Sequence, residues 1–147
     1  MAEPFVVRRE VEIAAPQATV FAFLTDPDKI LRWMGAEATV EPQVGGLYLV
    51  NVTGKDVVEG RFTEVIPVHR LAYSFGWQGR DKTPPGSSLI EIDLLERPGG
   101  TLLRLTHSGL PDAEACAAHE QGWKHYLARL AVAAAGGDPG RDAHRKV

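Results

Sequence analysis

A chain of 147 residues with 44% apolar content has the size of one domain, and folding at that length buries about 70% of the unfolded surface. Its 16 Lys+Arg against 19 Asp+Glu leave a net charge of -3, with no basic face to replace the counterions a nucleic acid would release and no cations interleaved with the aromatics. Cys116 stands alone and closes no internal disulfide, the opening MAEPFVVRRE lacks the apolar core of a signal peptide, and no apolar run approaches the roughly 18 residues that span a bilayer, so the expectation is a cytoplasmic protein with no nucleic-acid partner and no membrane insertion.

The first element is FVVRREVEIA (Phe5 to Ala14), where Val7, Val11 and Ile13 fall on one parity and Arg8, Glu10 and Glu12 on the other; that alternation predicts a half-buried strand. Pro16 can open a helix, because its missing N–H is unneeded in the first turn, and Val20, Phe21, Phe23 and Leu24 give that helix one apolar side. Asp26-Pro27 is a stronger start signal, a carboxylate cap followed by proline, leading into a short helix with Ile30, Leu31, Trp33 and Met34 that Gly35 ends.

Six further strands are predicted at about 36–42, 46–54, 57–67, 70–78, 87–97 and 101–109. Their separators, Gly45-Gly46, Gly54-Lys55-Asp56, Pro67-Val68-His69, Arg80 to Gly86 and Pro98-Gly99-Gly100, all carry turn chemistry. This middle reads as an antiparallel meander. Asp112 after Pro111 can cap a last, alanine-rich helix that runs to Gly136-Gly137, about 22 residues or roughly 33 Å at 1.5 Å per residue. The remaining DPGRDAHRKV is polar and aperiodic, so residues 1–135 are expected to form one domain and 136–147 a disordered tail.

Parity then assigns faces. Tyr48, Val50 and Val52 share one side, as do Tyr73, Phe75 and Trp77, then Ile90, Ile92 and Leu94, whereas Asn51, Thr53, Ser74, Glu91, Asp93 and Arg104 fall on the other. In the last strand Leu103, Leu105 and His107 point inward, making His107 a buried polar group. On the long helix His119, Trp123, Tyr126, Leu127 and Leu130 lie within one stripe that can lid this face. Gly122 sits beside Trp123 in that stripe, and a mid-helix glycine, at about 1 kcal/mol against alanine, signals either close backbone approach or space left for something else.

Motifs for other chemistries fail. Gly54-Lys55 is followed by Asp56, with Leu49 where a phosphate-binding loop needs glycine, and the histidines at 69, 107, 119, 125 and 144 form no metal-ligand spacing. Cys116 and His119, three apart on a helix, could meet, but a third ligand is missing, so no metal and no cofactor is expected.

The order strand, helix, helix, six-strand meander, long helix resembles the START-like helix-grip (SRPBCC) superfamily, an α+β class in which a curved seven-stranded antiparallel sheet grips a C-terminal helix. Trp33 with Gly45-Gly46, GRFTEVIP (Gly60 to Pro67), RLAYSFGW (Arg70 to Trp77), TLLRLTHSGLPD (Thr101 to Asp112) and Gly122-Trp123 are similar to the branch named after the activator of the heat-shock-protein-90 ATPase, over residues about 5–135. The resemblance implies a cavity between sheet and helix, lined by the positions of Trp33, Tyr48, Phe62, Tyr73, Phe75, Trp77, His107, Trp123 and Tyr126, for a lipid, an aromatic polyketide or another hydrophobic metabolite. Val50 and Ile92, on the inward parity, and His119, on the helix stripe, join that set. The turn at Gly54 to Asp56 and the coil RDKTPPG (Arg80 to Gly86) are expected to flank its mouth.

The first functional expectation is a module that binds a small hydrophobic molecule. A second is a cyclase-, aromatase- or hydrolase-like enzyme using His107 as general base with a cavity tyrosine, Tyr73 or Tyr48; a third is a co-chaperone or stress-response contact. Fold does not choose among them, and composition leaves monomer and homodimer equally open.

Overall fold

The computed structural model describes residues 5–146. Its elements run β1 (Val7–Ile13), α1 (Gln17–Thr25), α2 (Pro27–Ile30), β2 (Glu37–Val40), β3 (Leu47–Asn51), β4 (Val57–Ile66), β5 (Arg70–Phe75), β6 (Ser88–Arg97), β7 (Gly100–Ser108) and α3 (Ala113–Ala134). All strands pair antiparallel in one sheet of order β1-β7-β6-β5-β4-β3-β2. The six-strand meander thus gains β1 beside its last member, with Val7 opposite His107 and Ile13 opposite Thr101. No helix of the described residues is long and apolar enough to cross a membrane.

Alternation produces the two faces. Val50, Ile90 and Leu103 are fully buried, and Tyr48, Tyr73, Phe75, Ile92, Leu94 and Leu105 nearly so, while the other face is crossed by ion pairs. There Arg70 on β5 reaches Glu64 on β4 at 2.7 Å and Glu91 and Asp93 on β6 at 2.6 and 3.0 Å, stitching three neighbouring strands by the cross-strand pairing that stabilises sheets. A register shift between Phe62 and Glu64 bends β4, as an extra residue in one strand does, and curls the apolar face around α3.

Two start signals behave differently. Asp26 caps α2 by accepting from the Asp28 N–H at 2.9 Å, whereas Pro16 stands at the cap of α1 rather than inside it and makes no side-chain cap. The second helix is also shorter than its apolar pattern predicts: it closes at Ile30, and Leu31 to Trp33 continue in tight turns with Arg32 N–H bonded to Lys29 and Trp33 N–H to Ile30. Gly35 follows with φ of 93°, and a Cβ there would sit 2.9 Å from the Asn51 carbonyl oxygen. The turn is therefore pressed onto β3. The Trp33 indole N–H donates to the Phe23 carbonyl at 2.9 Å and the Trp33 carbonyl accepts from Arg129 Nε at 2.9 Å, which fastens α1, α2 and α3 to one another.

The long helix follows its signals closely. Asp112 accepts from the Ala115 N–H at 2.8 Å as cap, and the last turn ends before Gly136, at φ 93°.

Residues 138–146 carry no regular structure but are held at several points. Arg129 donates to the Pro139 and Gly140 carbonyls, Asp142 accepts from Tyr126 at 2.9 Å and pairs with His125 at 2.7 Å, and the Lys146 N–H bonds the Thr53 carbonyl at 2.6 Å. These contacts come from a few specific side chains in a stretch that is mostly exposed.

A very close backbone crossing lies between β4 and β5 at Gly60, where a Cβ would fall 1.7 Å from the Ser74 carbonyl oxygen. Gly60→Ala is therefore expected to destabilise the fold by on the order of 3 kcal/mol, measured as a lowered urea midpoint with an unchanged m-value.

Candidate functional site

Between the concave face and α3 the sheet leaves a cavity of about 260 Å³. Tyr48 from β3, Val58 from β4 and Phe75 from β5 form one wall, with Met34 and Val52 beside them. Ala118, His119, Gly122, Trp123 and Tyr126 on α3 form the opposite wall, and Thr53, Asp56, Trp77, Arg80, His144 and Lys146 surround the opening.

Six of the residues chosen from parity, helix stripe and resemblance line this space: Tyr48, Phe75, Trp77, His119, Trp123 and Tyr126. Trp33, Val50, Phe62, Tyr73, Ile92 and His107 point inward but are packed in the core. Tyr48 and Tyr73 stack with ring centroids 4.2 Å apart, and Phe62 meets both edge-on at 6.0 and 5.6 Å, so that end of the sandwich is filled by aromatic packing. Burial pushes the Tyr48 phenol up to about 12 and Tyr73 well above the ordinary value; both stay protonated. Their hydroxyl chemistry is that of neutral donors and acceptors, and no tyrosinate forms near neutral pH.

Gly122 resolves the two meanings of a mid-helix glycine. A Cβ added there meets nothing within 4 Å, so the residue opens onto the cavity and does not serve a tight helix-to-sheet contact.

Two indole–imidazole pairs bracket the space. Trp123 Nε1 donates to His107 Nδ1 at 3.1 Å, which leaves the ring proton on Nε2; that nitrogen lies 2.8 Å from Ser88 Oγ, whose hydroxyl donates to the Phe75 carbonyl at 2.9 Å. Trp77 Nε1 donates to His119 Nε2 at 2.9 Å, so His119 carries its proton on Nδ1 and gives it to the Ala115 carbonyl at 2.7 Å. Both rings are neutral, and both use each nitrogen. Burial, and beyond it the repulsion that a protonated His119 would exert, holds His107 down to about 3; burial also lowers His119, against the Ala115 hydrogen bond and with the Arg80 charge adding to it.

This arrangement bears on base chemistry. A general base needs a free lone pair within reach of the substrate proton, and the one basic lone pair of His107 accepts from Trp123. Neither Tyr73 nor Tyr48 is among its hydrogen-bond partners. His119 likewise offers no nitrogen to Cys116, and among the described residues no group of three or more His, Cys, Asp or Glu gathers as metal ligands do.

The opening carries what sequence reasoning missed. Asp56 accepts from Arg80 Nη2 at 2.8 Å, from Lys146 Nζ at 2.8 Å and from the Thr53 hydroxyl. Hydrogen bonds from Lys146 and Thr53, outweighing partial burial, hold its carboxyl down to about 2. Arg80 and Asp56 lie in the two segments expected to flank the mouth; Lys146 and His144 arrive from the tail. His144 stacks on His125 at 3.7 Å, with Tyr126 edge-on at 5.8 Å.

Residues 14–135 match the family profile of activator of Hsp90 ATPase homolog 1-like proteins. The whole chain aligns with 92% of an AHSA1-like protein from Rhizobium etli, at 68% identity and TM-score 0.78. A protein in the dynemicin biosynthetic locus shares the fold at 22% identity and TM-score 0.81, covering 95% of this chain and 51% of its own. The Aha1 dimer from Colwellia psychrerythraea does so at 19% identity and TM-score 0.79, covering 90% and 97%. No curated protein matches the chain.

The buried His107 makes stability depend on pH with a definite sign. Between its ordinary value of 6.5 and its folded value of about 3 the unfolded chain binds a proton that the folded chain refuses, so stability is full above the upper value and falls as pH is lowered toward the lower one. His107→Gln is expected to remove up to about 1.4 kcal/mol per pH unit of that slope, read as the difference between wild-type and variant urea midpoints from pH 7 to pH 4.

Proposed function

The chain belongs to the family of activator of Hsp90 ATPase homolog 1-like proteins, and from that membership we propose that it is a binding module for one small, largely apolar molecule seated between the sheet and α3. The observation that carries this reading is Gly122. A glycine in the middle of a helix costs about 1 kcal/mol against alanine, and here no close contact offsets it, because the space in front of it is the cavity itself. Aromatic and aliphatic walls with few polar groups suit such a ligand. Tyr48, Phe75, Trp77, Trp123 and Tyr126 supply the contact surface, with Gln121 the one uncharged amide among the lining residues.

Two other readings have less support. A hydrolase or cyclase using His107 lacks an available base, since both ring nitrogens are engaged by protein groups, Trp123 and Ser88. Contact with a chaperone rests on the family's description; it predicts a changed ATPase rate when the purified chain is added to a chaperone of that class.

Native mass spectrometry of the freshly purified protein, with extraction of whatever dissociates on unfolding, tests the binding reading. One stoichiometric apolar adduct, or one equivalent taken up from an apolar library, is expected for the wild type. Gly122→Ala should retain binding and gain about 0.5–1 kcal/mol in stability, whereas Gly122→Phe should fill the cavity and abolish uptake while still folding. Uptake by Gly122→Phe equal to wild type, or none by the wild type, would overturn the reading.

A further inference from the structure

The charge around the cavity is unevenly placed. Its walls are neutral: aliphatic and aromatic side chains, protonated tyrosines and the His119 imidazole, both of whose nitrogens are engaged. The charged groups among the described lining residues sit together at the opening, two cations, Arg80 and Lys146, around one carboxylate, Asp56. Both cations address that same group, Arg80 on Oδ1 and Lys146 on Oδ2, each at 2.8 Å.

Their geometry suits a second anion. Asp56 is the inner partner, its side chain 16% exposed, while Arg80 and Lys146 are 50% and 55% exposed. Asp56 engages a single guanidinium nitrogen of Arg80, Nη2, leaving the rest of the fork to face outward. Neither cation is a loose surface side chain. The Arg80 guanidinium lies over the Trp77 ring, 5.0 Å from its centroid, and Trp77 is held in turn by His119; the Lys146 backbone is pinned to the Thr53 carbonyl. Planar guanidinium on an aromatic face with one edge free is the arrangement that takes a carboxylate in two hydrogen bonds.

We propose that the ligand of this cavity is an amphipathic carboxylate, its apolar body in the space in front of Gly122, against Tyr48, Val58 and Trp123, and its carboxylate at the mouth between Arg80 and Lys146. This rests on the reading of the cavity as a binding site and adds the class of molecule. The anion completes a four-charge cluster in which two cations balance two carboxylates, and it does so at the rim, where water still solvates the outer edge and the desolvation cost is low. Arg80 already acts at range into the cavity, since its charge helps keep His119 neutral.

Matched probe pairs test it: decanoate against decanol and 2-naphthoate against 2-naphthalenemethanol, by isothermal titration with the full chain at low and at 0.5 M salt. In the wild type each carboxylate should bind on the order of tenfold more tightly than its alcohol at low salt, and the preference should shrink at high salt. The double variant Arg80→Gln/Lys146→Gln should lose the preference while keeping alcohol affinity within about twofold. Thermal melts establish that it folds, and the single variant Arg80→Gln, which leaves the tail contact of Lys146 in place, should lose several-fold by itself. Equal binding of acid and alcohol by the wild type, or a preference that survives the double variant, overturns the carboxylate assignment while leaving the cavity a binding site. Binding of neither member of either pair overturns both.

Discussion

Everything around the cavity depends on two indole N–H groups having neutral imidazoles to donate to. Trp123 on α3 reaches down to His107 on β7, and Trp77, beyond the end of β5, reaches up to His119 on α3. Helix and sheet are thus tied on both sides by directional bonds, and a gap can persist between them without the helix settling onto the sheet. Purely aliphatic contacts have no preferred spacing and would close such a gap, because each Å² of apolar surface removed from water is favourable. Hydrogen bonds of fixed length between large side chains hold the separation instead. The condition is that neither ring is protonated, and burial secures it for both.

The same arrangement fixes what the two imidazoles can offer chemically. A protein that works as a general base displays a lone pair; this one spends both of its inward imidazoles on internal donors. Ser88 completes the accounting, passing the His107 proton's hydrogen bond on to the Phe75 carbonyl, and among the described residues no buried side-chain polar atom lacks a partner. A fully satisfied polar network rigidifies its surroundings.

Much of this was legible in the chain. Alternation placed Tyr48, Val50, Phe75, Ile92 and His107 on the inner face, and Asp112, Gly136 and the helical stripe marked α3 with an error of a residue or two, because parity and caps are local properties of the backbone. What parity does not encode is position along the strand relative to the helix. Phe62 and Tyr73 share the inward face with Phe75, but the first two lie where side chains fill the space and the third at the edge of the cavity, against His119 and Trp123 of the helix. His107 was legible as buried, yet its partners were not: Ser88 belongs to the neighbouring strand and Trp123 to the helix, so both contacts exist only once register and packing are set. The rim was hidden for another reason. Asp142, His144 and Lys146 lie in a stretch with no periodicity and little apolar content, where order comes from individual hydrogen bonds that composition does not register.

The placement of the three tryptophans has an optical consequence. Trp33 is buried away from the cavity, its indole fixed to the Phe23 carbonyl, while Trp77 and Trp123 border the cavity with their indoles fixed to imidazoles. A molecule in the cavity would touch the surroundings of the latter two and not of Trp33, which does not line it. The molecule therefore contains both a signal and its own internal reference: near-ultraviolet emission would register filling of the cavity without any attached dye, and a shift shared by all three indoles would report loosening of the whole fold instead.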